Sequence, residues 1–261
     1  MVTPVWQSVS GAGTDLVVLH GWGLNASIWQ GIQAPLAPHR RLHCIDLPGY
    51  GDSPWPTGVP LNFDQLVELT TAALPERCQL MGWSLGGLVA TAIALRYPER
   101  VSQLITVASS PYFPAADDWP GIAPSVLNGF ARQLSADFKR TVERFLALQS
   151  IGSDTAKADV KQIKEWLLSK PMATEAVLNA GLDMLATVDL RSQLAALKMP
   201  LLRIYGRLDS LVPVAVVSKV DELAPHSRAV IMPHCSHAPF INQPQAFCQL
   251  LLDHSDLSAP R

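Results

Sequence analysis

Gly82-Trp83-Ser84-Leu85-Gly86 sets a serine between two glycines at a spacing suited to nucleophilic catalysis. A serine hydroxyl attacks a carbonyl only when a nearby base takes its proton, and it must stand clear of the backbone to reach a substrate. Glycines at 82 and 86 remove side chains that would collide where a strand folds sharply back into a helix. The apolar run 79–82 before the serine and the helical pattern ending near Arg96 supply that strand and that helix. The turn also puts Ser84 at a helix N-terminus, whose unpaired N–H groups and positive dipole end favour a developing oxyanion. The bland alternative is a glycine-rich turn with a capping serine.

An oxyanion needs two backbone donors. The N–H of Leu85, next after the serine, is one; His20-Gly21-Trp22-Gly23, which follows the run Leu16-Val17-Val18-Leu19, offers the N–H of Trp22 as the second. The Trp22 indole is also a candidate for lining the pocket. The base and its acidic partner are expected on loops after late strands, in the order serine, carboxylate, histidine. Asp209 ends the run Leu201-Leu202-Arg203-Ile204-Tyr205 through Gly206-Arg207-Leu208, and His237 follows Val230-Ile231-Met232 through Pro233-His234-Cys235-Ser236. A neutral His237 takes the Ser84 proton, while Asp209 fixes the imidazole tautomer and stabilises the imidazolium. Asp221 lies inside a helical pattern and His234 falls too soon after its strand, so both are read as surface groups. His20 and His43 sit at strand edges and are read as structural, as is Asp46 at the head of the turn Asp46-Leu47-Pro48-Gly49-Tyr50-Gly51-Asp52-Ser53. Trp83, Phe130, Phe145 and Leu211 either line an acyl channel or belong to the core; their types do not decide which.

The elements that must position these residues are legible as short apolar runs at 16–20, 42–46, 79–82, 104–108, 201–205 and 229–232, alternating with helical patterns. That alternation builds a mostly parallel sheet with helices on both faces, and ligands bind outside the carboxyl ends of such strands. From Pro111 to about Thr187 the alternation stops and amphipathic helices follow at 125–134, 137–149 and 155–168, broken by Gly152 and Pro171. The expected organisation is an α/β core of residues 1–110 and 188–261 with a helical cap, 111–187, inserted in it.

Composition narrows the classes. With 48% hydrophobic and 16% charged residues the 261-residue chain can bury one large core, and 20 basic against 22 acidic side chains give no global attraction to nucleic acid. Cys44, Cys78, Cys235 and Cys248 form no CxxC pair, which argues against a structural zinc site and a dense disulfide framework. No basic stretch leads into an apolar segment at the N-terminus, and no apolar run approaches the ~20 residues that cross a bilayer. The expectation is a soluble, cytoplasmic monomer acting through an acyl-enzyme, with no metal and no organic cofactor.

With these residues placed, the sequence resembles the pimeloyl-[acyl-carrier protein] methyl ester esterase family of biotin biosynthesis, serine esterases of the α/β-hydrolase fold, over nearly its whole length. The stretches that carry the likeness are Leu19-His20-Gly21-Trp22-Gly23-Leu24-Asn25, Gly82-Trp83-Ser84-Leu85-Gly86-Gly87-Leu88-Val89-Ala90, Val107-Ala108-Ser109-Ser110-Pro111, Asp118-Trp119-Pro120-Gly121-Ile122 and Arg140-Thr141-Val142-Glu143-Arg144-Phe145-Leu146-Ala147-Leu148-Gln149. The last two fall in the cap, which differs most between hydrolase families, and so discriminate better than the triad. The resemblance implies hydrolysis of the methyl ester of a pimeloyl group on acyl carrier protein, with methanol as the second product. It also implies that Arg140, Arg144, Lys157 and Lys161 hold the acidic carrier. The two lysines stand where the family pattern has arginines, which keeps the charge but loses forked hydrogen bonding.

Spacing gives that patch independent support, because Arg140 and Arg144 are four apart, as are Lys157 and Lys161, so each pair shares a helix face. Between Arg132 and Lys170 eight basic and five acidic residues leave a net of +3 in a chain of net −2. A solvated face with internal ion pairs is the competing reading. For the whole chain the rivals are a broad-specificity carboxylesterase, lactonase or carbon–carbon bond hydrolase on the same scaffold, and a non-catalytic ligand-binding protein that keeps the triad.

Overall fold

The computed structural model describes residues 5–136 and 156–254. Seven strands form one sheet: β1 (Gln7–Gly11), β2 (Thr14–Leu19), β3 (Arg40–Ile45), β4 (Cys78–Trp83), β5 (Val101–Val107), β6 (Leu201–Gly206) and β7 (Arg228–Met232). Their order is β1-β3-β2-β4-β5-β6-β7, with β1 antiparallel to β3 and every other pair parallel. All six residues of β4 are buried, as expected of a central strand covered on both faces, whereas β1 alternates between exposed and half-buried positions at the sheet edge. The six expected strands are all present; β1 was not expected. Gln-Ser-Val-Ser-Gly lacks an apolar run, and its Val9 is left half exposed.

Helices α1 (Gln30–Leu36), α2 (Phe63–Ala72) and α3 (Leu85–Arg96) alternate with the first strands. Among the described residues three more, α4 (Pro124–Ala136), α5 (Ala156–Leu168) and α6 (Glu175–Thr187), are inserted between β5 and β6, and α7 (Val216–Leu223), α8 (Pro239–Asn242) and α9 (Pro244–Asp253) follow. α2 packs on α3, and α1 on α8 and α9, so the sheet carries a helical layer on each face. α3 is buried all round from Leu85 to Ala94 because it lies directly on β4 and β5. Each large side chain it buries, such as Leu88 or Ile93, contributes roughly 2 kcal/mol relative to exposure.

The first helix of the insertion begins one residue earlier than its spacing suggests, at Pro124, because proline suits the first turn of a helix. α5 buries Asp159, Ile163 and Leu167, four apart on one face, and exposes Lys157, Lys161, Lys164 and Glu165 on the other. It stops before Pro171, and α6 restarts where the Thr174 hydroxyl accepts from the Val177 N–H at 3.3 Å. The expected helix 137–149, with Arg140, Arg144 and Phe145, lies outside the described residues. Among the described residues, no helix is long and apolar enough to cross a membrane. The four cysteines are buried free thiols; burial pushes Cys44 and Cys78 up to about 12, and Cys235 and Cys248 up to about 11.

Candidate active site

Ser84 stands between β4 and α3 with φ 55° and ψ −120°, a strained combination for a residue with a side chain. The strain is held by close packing. A Cβ on Gly82 would fall onto the Gly86 carbonyl, and one on Gly86 would fall onto the carbonyls of Leu19 and His20. The Ser84 N–H donates to the Val107 carbonyl at 3.0 Å, and the Ser109 hydroxyl donates to the Ser84 carbonyl at 2.8 Å. Ser109 fits there because Gly87 has no side chain: an added Cβ would come within 2.5 Å of the Ser109 Cβ and Oγ.

The carboxyl ends of β4, β6 and β7 bring three predicted residues together. His237 Nε2 lies 3.0 Å from Ser84 Oγ, and His237 Nδ1 lies 2.8 Å from Asp209 Oδ2. All three are buried, with Ser84 3%, Asp209 6% and His237 1% exposed. The other carboxylate oxygen of Asp209 accepts the N–H groups of Leu211 at 2.8 Å and Val212 at 3.0 Å, so the carboxylate is fixed by backbone on one side and presents an acceptor to the imidazole on the other. In this arrangement Nδ1 carries the proton and Nε2 is free to accept one from the serine.

The loop after β2 runs against the serine, since a Cβ on Gly21 would stand 3.2 Å from the Ser84 Cβ. His20 shapes this loop. Its Nδ1 lies 2.8 Å from the Gly21 carbonyl oxygen, and its Nε2 accepts the Leu47 N–H at 2.9 Å. Only the tautomer protonated on Nδ1 satisfies both, and burial drives its pKa down to about 4, keeping the ring neutral. The Gly21 carbonyl and the Trp22 N–H belong to one planar peptide, so fixing the carbonyl also orients the N–H. Leu85 begins α3, where first-turn N–H groups have no intrahelical acceptor.

The remaining predicted residues fall in several places. Trp83 is fully buried against Trp29, Phe240 and His237, and its indole N–H donates to the His237 carbonyl at 2.7 Å. The Trp22 indole donates to the Leu178 carbonyl at 2.8 Å, tying the loop to α6. Phe130 is buried on α4, and Leu211 is buried two residues beyond Asp209. Lys157 and Lys161 are exposed on α5, with Lys161 Nζ 3.9 Å from Glu165 on the same helix. Asp221 pairs with the buried Arg203, and His234 is exposed. Among the described residues, no group of three or more His, Cys, Asp or Glu side chains is arranged to hold a metal ion.

A family profile described as the alpha/beta hydrolase fold matches residues 15–244. The chain is 54% identical over 241 residues to the pimeloyl-[acyl-carrier protein] methyl ester esterase of Aeromonas hydrophila, covering 92% of this chain and 95% of that one. It is also 54% identical to the protein of that name from Pectobacterium atrosepticum, covering 97% and 98%. The chain belongs to the pimeloyl-[acyl-carrier protein] methyl ester esterase family. An esterase from Exiguobacterium antarcticum superposes with a TM-score of 0.84 over 96% of this chain and 94% of its own at 20% identity, a likeness of fold. The family makes the chain a carboxylic ester hydrolase.

Sequence reasoning missed the groups that join the insertion to the core. Lys170, just after α5, lies over the Trp6 ring and reaches Asp46 at 2.7 Å and Asp52 at 3.2 Å. Asn25 donates to the Leu167 carbonyl at 3.1 Å at the end of α5, and Ser27 and Ser169 meet at 2.9 Å. Asp159 accepts from Asn242 at 2.7 Å. These partners are 83 to 164 residues apart along the chain, and no local signal links them.

Proposed function

We propose that this chain hydrolyses the methyl ester of pimeloyl-acyl carrier protein, releasing pimeloyl-acyl carrier protein and methanol in biotin biosynthesis, with Ser84, His237 and Asp209 as the catalytic triad. The observation that carries the chemistry is the buried line Ser84 Oγ, His237, Asp209, at 3.0 and 2.8 Å. The identity of 54% to relatives named for this substrate supports the specificity.

His237 Nε2 takes the Ser84 proton as Oγ attacks the ester carbonyl, forming a tetrahedral oxyanion. The N–H groups of Leu85 and Trp22 receive that charge. When the intermediate collapses, the bond to the methoxy oxygen breaks, and His237 gives its proton to the leaving group as methanol departs. A water molecule, deprotonated by the same imidazole, then attacks the acyl-enzyme and returns Ser84 with a free carboxylate product. Asp209 stays ionised and stabilises the imidazolium in both halves. No step in this scheme calls on a metal or an organic cofactor.

The acyl channel draws on Trp22, Leu85, Phe130, Phe145 and Leu211; Trp83, fully buried, packs against the histidine ring. Residues 111–187 form the cap, and its basic residues, Arg140, Arg144, Lys157 and Lys161, receive the acidic carrier. The exposure of Lys157 and Lys161 supports this assignment. Carrier and enzyme then meet in the cytoplasm as soluble partners, with the enzyme a monomer. Mass spectrometry of methyl pimeloyl-acyl carrier protein before and after incubation tests the reading: the acyl carrier protein loses the mass of one methylene with the native enzyme and keeps it with Ser84→Ala. An unchanged substrate beside rapid cleavage of short p-nitrophenyl esters would replace this reading with a broad-specificity esterase.

A further inference from the structure

α5 breaks its own pattern at Asp159. The helix buries positions 159, 163 and 167, and two of these are Ile163 and Leu167, while the third is a carboxylate only 6% exposed. A buried carboxylate costs stability unless it is hydrogen-bonded, so its partner matters. Asp159 Oδ2 accepts the Asn242 side-chain N–H at 2.7 Å. Asn242, the last residue of α8, turns its Oδ1 the other way, accepting the Ser236 N–H at 2.8 Å and the Ser236 hydroxyl at 3.1 Å. Ser236 immediately precedes His237.

The chemistry of the two groups makes this chain directional. An ionised carboxylate can only accept, so Asp159 selects the NH2 end of the Asn242 amide and leaves the carbonyl end for the two Ser236 donors. His237 is thereby held from two sides, through Ser236 by Asn242 and through its own carbonyl by Trp83. We infer that Asp159 and Asn242 are positioning residues for His237, tying the general base to the helix that presents Lys157 and Lys161. This rests on the reading of Ser84, His237 and Asp209 as the triad and is independent of the carrier substrate. Without the carboxylate the Asn242 amide loses the acceptor that orients its NH2 end, its hold on the Ser236 donors weakens, and the imidazole drifts from the serine. Displacements of about 1 Å at a reacting group cost up to ~100-fold in rate.

The test uses a short p-nitrophenyl ester and the intact enzyme. Asn242→Asp sets two carboxylates against each other, and kcat is expected to fall about tenfold or more with KM within about twofold of the native value. Adding Asp159→Asn to that variant restores an amide–carboxylate pair in reversed order while still offering Ser236 an acceptor oxygen, so kcat is expected to return to within about threefold. Should Asn242→Asp fail to fold by circular dichroism, Asp159→Ala replaces it, with a severalfold loss of kcat at constant KM expected. A native-like kcat in either single variant, or a swapped pair as slow as Asn242→Asp, overturns the inference. Ser84→Ala is assayed alongside: if it keeps native activity the triad reading itself is wrong, whereas an inactive Ser84→Ala beside an unimpaired Asn242→Asp removes only the positioning role.

Discussion

The loops at the carboxyl ends of β4, β6 and β7 and the helices inserted between β5 and β6 treat their polar side chains in opposite ways. In the loops, Ser84, Asp209 and His237 are buried, and backbone groups or packing constrain each. In α5 the charged residues other than Asp159, namely Lys157, Lys161, Lys164 and Glu165, face solvent, and the ion pair of Lys161 with Glu165 lies within the helix itself. Groups that must meet at a reacting atom are fixed before substrate arrives, because a preorganised site needs no reorganisation during the reaction. Groups that attract a charged partner act through a field that tolerates side-chain freedom, and salt weakens it. Damage in the first region is therefore expected to be large and salt-independent, and damage in the second small and salt-dependent.

The contrast is attacked most directly at Ser84. Ser84→Ala is expected to lower kcat on a short p-nitrophenyl ester by roughly 10⁴-fold or more, with an unchanged circular dichroism spectrum; appreciable residual turnover in steady-state assays would break the contrast at its stronger end. Next comes Gly82→Ala, whose added Cβ meets the Gly86 carbonyl in backbone that has nowhere to move. A loss of several kcal/mol in urea unfolding is expected, together with loss of activity.

A third prediction uses pH. Burial holds His20 at about 4 against an ordinary value of 6.5, so the unfolded chain takes up a proton in that window and the native chain does not. Stability therefore rises with pH between about 4 and 6.5, and acidification across that window removes about 3 kcal/mol. Urea unfolding at the two ends of the window, repeated with His20→Gln, checks the sign: the substitution is expected to flatten the slope. The smallest effect belongs to the other region. Replacing Lys157 and Lys161 together by glutamate is expected to raise KM for the carrier-borne ester about threefold to tenfold more than for the same ester without its carrier. That difference is expected to shrink as salt is added, and a salt-independent difference would mean that these lysines act through packing.

The sheet and the three side chains that meet, Ser84, His237 and Asp209, were legible because their signals are local. A parallel strand buried on both faces reads as an apolar run, and the turn at Ser84 demands glycines at two fixed positions. Asp209 and His237 followed from strand order, since each sits a few residues beyond its run. β1 escaped because an antiparallel edge strand needs no apolar run, only backbone partners on β3. Trp83 was open between channel and core in the sequence; the structure turns its indole to the His237 carbonyl, a partner 154 residues away. In the sequence Asp159 is one of five acidic residues between Arg132 and Lys170, and only packing puts it on the buried side.

By itself, then, the sequence determined six of the seven strands, the glycine-bounded turn at Ser84 and the placing of Asp209 and His237 just after late strands, because periodicity, glycine spacing and position after a strand are properties of neighbours along the chain. Tertiary structure alone decided that Lys170 reaches Asp46, that His20 sets the Gly21–Trp22 peptide, and that Asp159 meets Asn242. Those choices depend on side-chain directions at the meeting of elements distant along the chain, where a shift of one residue on a helix exchanges a buried position for an exposed one.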